Sequence, residues 1–392
     1  MTRVRASLAL LALVVSTATL SAPAQARPKL TRHVFVFGAE GDNLNVYDAT
    51  AGFRKQTVIR NSGDDPKHGL NINAQICFFP QRFTPGNQIW FIAGEDTDQG
   101  GGRRQGWGIF RLTGSRIGNF RARMIGRLSP TFQEHAVSNV ENYGCGILSD
   151  GRVVTTDVGD QYPGFDGNGQ LTMYYPPYND MKVDYCKLDV EIATASGMYV
   201  DRATDEIYVA SARPDLFPPS VSTGGVYRYS GPYPKRAKDC GPGTDPTGAP
   251  MADVSKELFI APAPYSLNAS GIARTRAGTF LVTSVFTGRI DEYDADGSHL
   301  RSILEPPLGE LPPYSTGTPY GIGLDSRGTV YFADLGIGIG PPPGPEDDAG
   351  SEFVIRFDAN GEPSDPLMFD DGLAFPDGIG ILELVGTRQV FP

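Results

Sequence analysis

The chain has 392 residues, among them 48 Gly and 32 Pro, with 20% charged residues and a formal net charge of -11. Such an acidic balance excludes a nucleic-acid binder, whose phosphate contacts need a basic face. So many turn formers, with abundant Tyr and Phe, exclude a helical bundle and point to many short strands joined by tight loops.

In chain order, Arg3 and Arg5 precede a short apolar core at 8–15 and a small-residue stretch ending in Ala24 and Ala26. That order is a secretory signal peptide, with cleavage expected after Ala26. The apolar core is too short to span a membrane, and no second long apolar run follows. The expected product is residues 27–392, one domain without a membrane span, secreted or periplasmic.

Residues 33–37, 45–47 and 56–59 then read as strands with no Gly-containing strand before them. From there a repeat takes over. Copies run at 73–79 leading to 89–93, 142–157, 195–201 leading to 206–210, 269–283, 319–334 and 376–382, and share Gly144, Gly197, Gly271, Gly321 and Gly378, with Gln75 in the first copy. The glycines recur every 50–74 residues, a blade-sized period with insertions. Each copy is a small-residue strand, a turn, then an aromatic or β-branched strand. Third strands follow at 106–112, 170–175, 225–229, 289–293 and 353–357, and a fourth is visible at 302–304. The last copy ends after one strand, and residues 33–60 supply the rest of that blade. The expectation is an all-β, six-bladed β-propeller of four-stranded blades, its ring closed by N- and C-terminal strands in one blade.

Four cysteines in an exported chain predict disulfides, and four allow three pairings. Cys77 and Cys145 occupy matching places in neighbouring repeats; Cys186 and Cys240 lie after one repeat and in an insertion of the next. Those positions favour Cys77–Cys145 and Cys186–Cys240, against free buried thiols.

The segment PYGIGLDSRGTVYFAD at 319–334 resembles the NHL repeat, as does SGIARTRAGTFLVTS at 270–284 followed by GRIDEYDADG. That resemblance implies the propeller and leaves the function open, since such propellers include enzymes, ligand binders and scaffolds. Pro376-Asp377-Gly378 and Asn142-Tyr143-Gly144 further resemble motifs of the calcium-dependent gluconolactonase-like (TolB-type) propellers. Two other motifs of that family fail: Ala269-Ser270-Gly271 lacks its Asn, and Asn73-Ala74-Gln75 lacks its Glu. What the resemblance implies is calcium held by Asn142 and Asp377, with Glu141 or His135 as base candidates.

The residues before the shared glycines form an expected polar ring at the channel mouth, including Gln75, Ser196, Ser270 and Tyr320. A ring of oxygens suits calcium, while ordered channel water explains the same residues. His68 and His135 could hold zinc, but no metal-binding spacing supports this. The stretch 157–170 has a calcium-loop composition that ordinary turn chemistry also explains. Long second-to-third loops at 94–105, 158–169, 211–224 and 335–350 read as a binding rim for a small molecule, a glycan or a protein. Two functions follow. One is an exported binding protein. The alternative is a calcium-dependent lactonase or esterase-like hydrolase, in which the ion polarises a carbonyl and a carboxylate or His activates water.

Overall fold

The computed structural model describes residues 31–40, 43–60, 72–95, 106–128, 142–157, 169–178, 183–192, 194–212, 224–241, 243–244, 250–262, 268–285, 287–305, 318–336 and 350–391. Six sheets, antiparallel except for one short added strand, follow one another along the chain. Their innermost strands are Gly378–Val385, Ile72–Phe78, Asn142–Ile147, Ala195–Asp201, Ala269–Arg274 and Pro319–Leu324, each beside the next, and the last beside the first. The chain is a six-bladed β-propeller, blades 1 to 6 in that order.

Blade 1 closes the ring as expected. Gly378–Val385 pairs with Arg32–Glu40 in register from Ala39–Gly378 to Arg32–Val385, and Asn43–Asp48 and Arg54–Ile59 complete the blade. The sequence reading did not include Arg388–Phe391, which forms a hairpin with the end of the innermost strand. Fourth strands, faint in the sequence outside blade 5, are present as Arg121–Leu128, Tyr185–Ile192, Ser255–Ile260 and Leu367–Leu373. Their alternation is blurred because an outer strand faces water on one side and carries charges there.

Strand alternation explains how the core is divided. Phe35 and Phe37 point from one face of their strand toward blade 2, where they meet Phe78, Phe91 and Phe120. Val34 and Val36 point from the other face toward Tyr331 and Val354 of blade 6. With a side-chain period of two, every central strand feeds two interfaces. Six apolar clusters result, one between each pair of neighbouring blades.

The shared glycines have a steric cause. A Cβ on Gly144, Gly197, Gly271 or Gly321 would stand 2.4–2.7 Å from the carbonyl oxygen of the residue before the shared Gly of the next blade; on Gly378 it would fall at 1.7 Å from the Ala74 oxygen. The innermost strands therefore touch backbone to backbone at this level, and glycine is required by the neighbour rather than by the width of the channel.

Both expected disulfides are present. Cys77–Cys145 joins the innermost strands of blades 2 and 3. Cys186 lies in the fourth strand of blade 3, and Cys240 in the insertion between the third and fourth strands of blade 4. That insertion returns to blade 3, where Pro250–Met251 pairs in parallel with Lys187. It covers an edge that would otherwise be open to strand addition.

Candidate functional site

The axis has two ends. The innermost strands start at one end, beside the segments that precede each blade, and run to the other, where hairpins lead into the second strands.

At the starting end the predicted ring residues are mostly engaged in holding blades together. Asp377 accepts the Ala74 amide at 3.0 Å, which links blades 1 and 2. Asn142 donates from Nδ2 to the Gly106 carbonyl at 2.8 Å, and its Oδ1 has no hydrogen-bond partner among the described residues. Ser270 contacts the Thr283 hydroxyl at 2.9 Å and donates to the Pro319 carbonyl at 3.0 Å. Ser196 receives the Tyr320 hydroxyl at 3.3 Å from across the channel. Tyr143 and Tyr320 come from opposite blades, and their rings meet at 4.7 Å between centroids. With Ala212, Val285 and Leu335 they form a buried apolar cluster. This end of the axis is thus crossed by a pair of aromatic rings, of which Tyr320 was among the expected ring residues and Tyr143 was not. The bulk of Tyr143, one residue after Asn142, was the available signal.

Gln75 explains why the first copy departs from glycine. Ala74 sits at φ 71°, within an interruption of the ladder between Asn73 and Cys77. The Gln75 side chain then reaches into the channel. Its Nε2 donates to the Met198 carbonyl at 3.0 Å, and its Oε1 accepts the Met198 amide at 3.1 Å and the Cys145 amide at 3.4 Å. One side chain therefore ties blade 2 to blades 3 and 4.

Glu141, His135 and His68 lie outside the described residues, as do 96–105, 158–168, 213–223 and 337–349 of the four rim loops. Among the described residues no group of three or more His, Cys, Asp or Glu side chains could hold a metal ion. The calcium reading fits poorly here. Asn142 and Asp377 offer one amide and one carboxylate where calcium takes about six to eight oxygens, and the Asp377 carboxylate already serves the Ala74 amide.

A titratable group that the sequence reading passed over stands at the same end. Asp334, the last residue of Val330–Asp334, is buried and pushed up to about 7 by desolvation. Its Oδ1 accepts the Thr318 hydroxyl at 2.9 Å and the Gly336 amide at 3.0 Å. Burial outweighs both bonds, which act in the opposite direction. It bridges the segments that enter and leave its hairpin.

At the hairpin end lies a cavity of about 530 Å³, lined by the innermost strands of all six blades. Its walls include Ile76, Ile147, Met198, Ile272, Ile322 and Ile381, and Gln75 and the Cys77–Cys145 bridge stand at its inner limit. The mouth carries Arg202, Arg274, Arg276, Asp201 and Asp325 from the hairpins. Size and lining match small-molecule sites, which are concave, mainly apolar and provided with a few polar groups.

No family model matches the sequence, and no curated protein matches it. Solved structures match at low identity. A protein of unknown function from Bacteroides caccae has 10% identity and a TM-score of 0.47, over 89% of this chain and 98% of its own. Virginiamycin B lyase from Staphylococcus aureus has 11% identity and a TM-score of 0.42, over 89% and 86%. A gluconolactonase from Xanthomonas campestris has 12% identity and a TM-score of 0.41, over 76% and 82%. Likeness at this level transfers no residue role, and the assignment of six blades stands on the sheets themselves.

Proposed function

We propose that this chain is an exported binding protein that takes a small organic ligand into the axial cavity from the hairpin face. The observation that supports this is the cavity itself: about 530 Å³, walled by apolar side chains from all six blades. Export is supported by the charged and apolar pattern of residues 1–26 and by two disulfides, which persist in oxidising compartments. Among the described residues no helix is long and apolar enough to cross a membrane.

The test is native mass spectrometry and thermal-shift screening of the mature protein against a small-molecule library, repeated on Val200→Trp. Val200 lines the cavity and is only partly buried, so an indole there enters the space. The reading requires hits that wild type binds and Val200→Trp loses while keeping its fold. Hits unaffected by the tryptophan would place the ligand elsewhere, and the absence of hits would remove the cavity from the argument. Cell fractionation with N-terminal sequencing tests export, with a mature start at residue 27 expected.

A further inference from the structure

We infer that the axial cavity selects a carboxylate-bearing ligand with an apolar body, and that Arg202 is the residue that receives the carboxylate. This deepens the binding reading above and rests on it.

The charges at the mouth are not equally available. Asp201 pairs with Arg274 and accepts the Ala203 amide at 2.9 Å. Asp325 accepts the amides of Arg327 and Thr329 at 2.7 and 3.0 Å and the Tyr331 hydroxyl at 3.3 Å. Asp205, on the same hairpin as Arg202, accepts the Ser149 amide and hydroxyl, both at 2.7 Å. Each carboxylate at this face is thus held by its own turn or by a neighbour. Arg274 is held as well.

Arg202 is different. It is half-buried, and its Nε donates to the Ile147 carbonyl at 3.2 Å. Among the described residues no carboxylate comes within ion-pair distance, and neither terminal nitrogen is hydrogen-bonded. Burial, and after it the like charge of Arg82, lower its pKa to about 10. A guanidinium is still charged there at neutral pH. A partly desolvated cation next to a like charge is unfavourable unless an anion joins it. This occurs in a chain whose net charge is -11, where an unpaired arginine has many carboxylates it could have been matched with.

The geometry narrows the anion. With Nε engaged, the guanidinium still offers the edge formed by its two terminal nitrogens. Two parallel N–H donors match the two oxygens of one carboxylate. Beyond that edge the walls are isoleucine, methionine and valine as far as Gln75. The cavity therefore accepts one polar head at its mouth and an apolar remainder inside. A cationic ligand would face Arg202 and Arg276 together.

The experiment is calorimetry on the mature protein with decanoate and 2-naphthoate, against decan-1-ol and 2-naphthylmethanol as uncharged counterparts. The variants are Arg202→Met, which keeps an apolar stem, and Arg276→Met, which removes an exposed arginine of the same mouth. Wild type is expected to bind at least one acid roughly tenfold or more tightly than its alcohol. Arg202→Met should bring acid and alcohol to equal affinity, and Arg276→Met should largely keep the preference. If acid and alcohol bind alike in wild type, or Arg202→Met keeps the preference, the carboxylate inference is overturned while the cavity reading stands. If neither acid nor alcohol binds, and the library screen also fails, both fall together.

Discussion

Asp377 separates a structural tie from a metal ligand, and its removal has a calculable cost. The residue is 3% exposed, and its Oδ2 accepts the Ala74 amide across the junction where the last innermost strand meets the first. Ala74 lies in the interrupted part of its own ladder, so the carboxylate takes an amide that the sheet does not pair. Asp377→Ala loses a charge-assisted hydrogen bond and leaves a buried N–H exposed to nothing. Hydrogen bonds to charged groups contribute about 1.5–3 kcal/mol, and an orphaned buried donor costs a comparable amount, so the expected loss is about 2–4 kcal/mol. Asp377→Asn keeps an acceptor oxygen and should lose only about 1 kcal/mol. The assay is urea unfolding followed by tryptophan fluorescence. Both tryptophans of the chain, Trp90 and Trp107, lie in blade 2 beside this junction. Each protein is measured in calcium and in chelator after stripping. Calcium should leave all three curves in place, because a ligand stabilises only the state that binds it. An Asp377→Ala curve indistinguishable from wild type would refute the tie. Calcium stabilisation of wild type that vanishes in both variants would instead make Asp377 a metal ligand and revive the hydrolase alternative.

Three further outcomes follow from the same geometry. Gly378→Ala places a methyl 1.7 Å from the Ala74 oxygen. It should cost about 3 kcal/mol or more, against about 1 kcal/mol for Gly372→Ala, which has open space around it but a φ of 67°; denaturant titration distinguishes them. Asp334, at about 7 in the fold and about 3.9 unfolded, binds its proton more tightly when folded. Its contribution is therefore fully present below about pH 4 and is lost as pH rises to about 7, a fall of at most ~4 kcal/mol. Asp334→Asn should flatten stability over that window, and a profile identical to wild type would contradict the assignment. Opening Cys77–Cys145 with paired serines frees a 68-residue separation and should cost about 2–5 kcal/mol; because the bridge borders the cavity, ligand affinity measured by calorimetry should fall with it.

The fold was legible because its demands fall on residue types. Backbone contact between neighbouring innermost strands admits only glycine, so Gly144, Gly197, Gly271, Gly321 and Gly378 mark five blades directly. The pairing of the cysteines was legible for a related reason, since matching repeat positions place Cys77 and Cys145 side by side. The site was less legible. A sequence shows that Gln75, Ser196, Ser270 and Asp377 are polar and near the axis. It does not show whether a polar side chain faces ligand or spends its hydrogen bonds on the next blade. Gln75 illustrates this: it replaces a glycine, and its amide is consumed by Met198 and Cys145. The arginine at the mouth escaped notice for the converse reason. Arg202 lies in an ordinary Asp-Arg-Ala-Thr-Asp turn, and what distinguishes it is the engagement of every nearby carboxylate elsewhere, a property of the assembled ring.

The two ends of the axis are unlike because of how the blades converge. Where the innermost strands start, neighbouring backbones come so close that a Cβ has no room, and Tyr143 and Tyr320 suffice to cross the remaining space. One to three residues past those glycines, the same strands carry Ile147, Met198, Ile272, Ile322 and Ile381 around a cavity of about 530 Å³. Room for a ligand therefore lies toward the hairpins. Polar residues near the starting end are then drawn into blade-to-blade bonds, as Asp377, Ser270 and Asn142 are. At the hairpin end the walls have no such bonds to make, and a charged group there keeps its capacity for a ligand unless a turn uses it. Arg202 keeps that capacity, whereas Asp201, Asp205 and Asp325 do not. Selectivity in such a ring is therefore set by hairpin residues, which can change without disturbing the glycine contacts that close the fold.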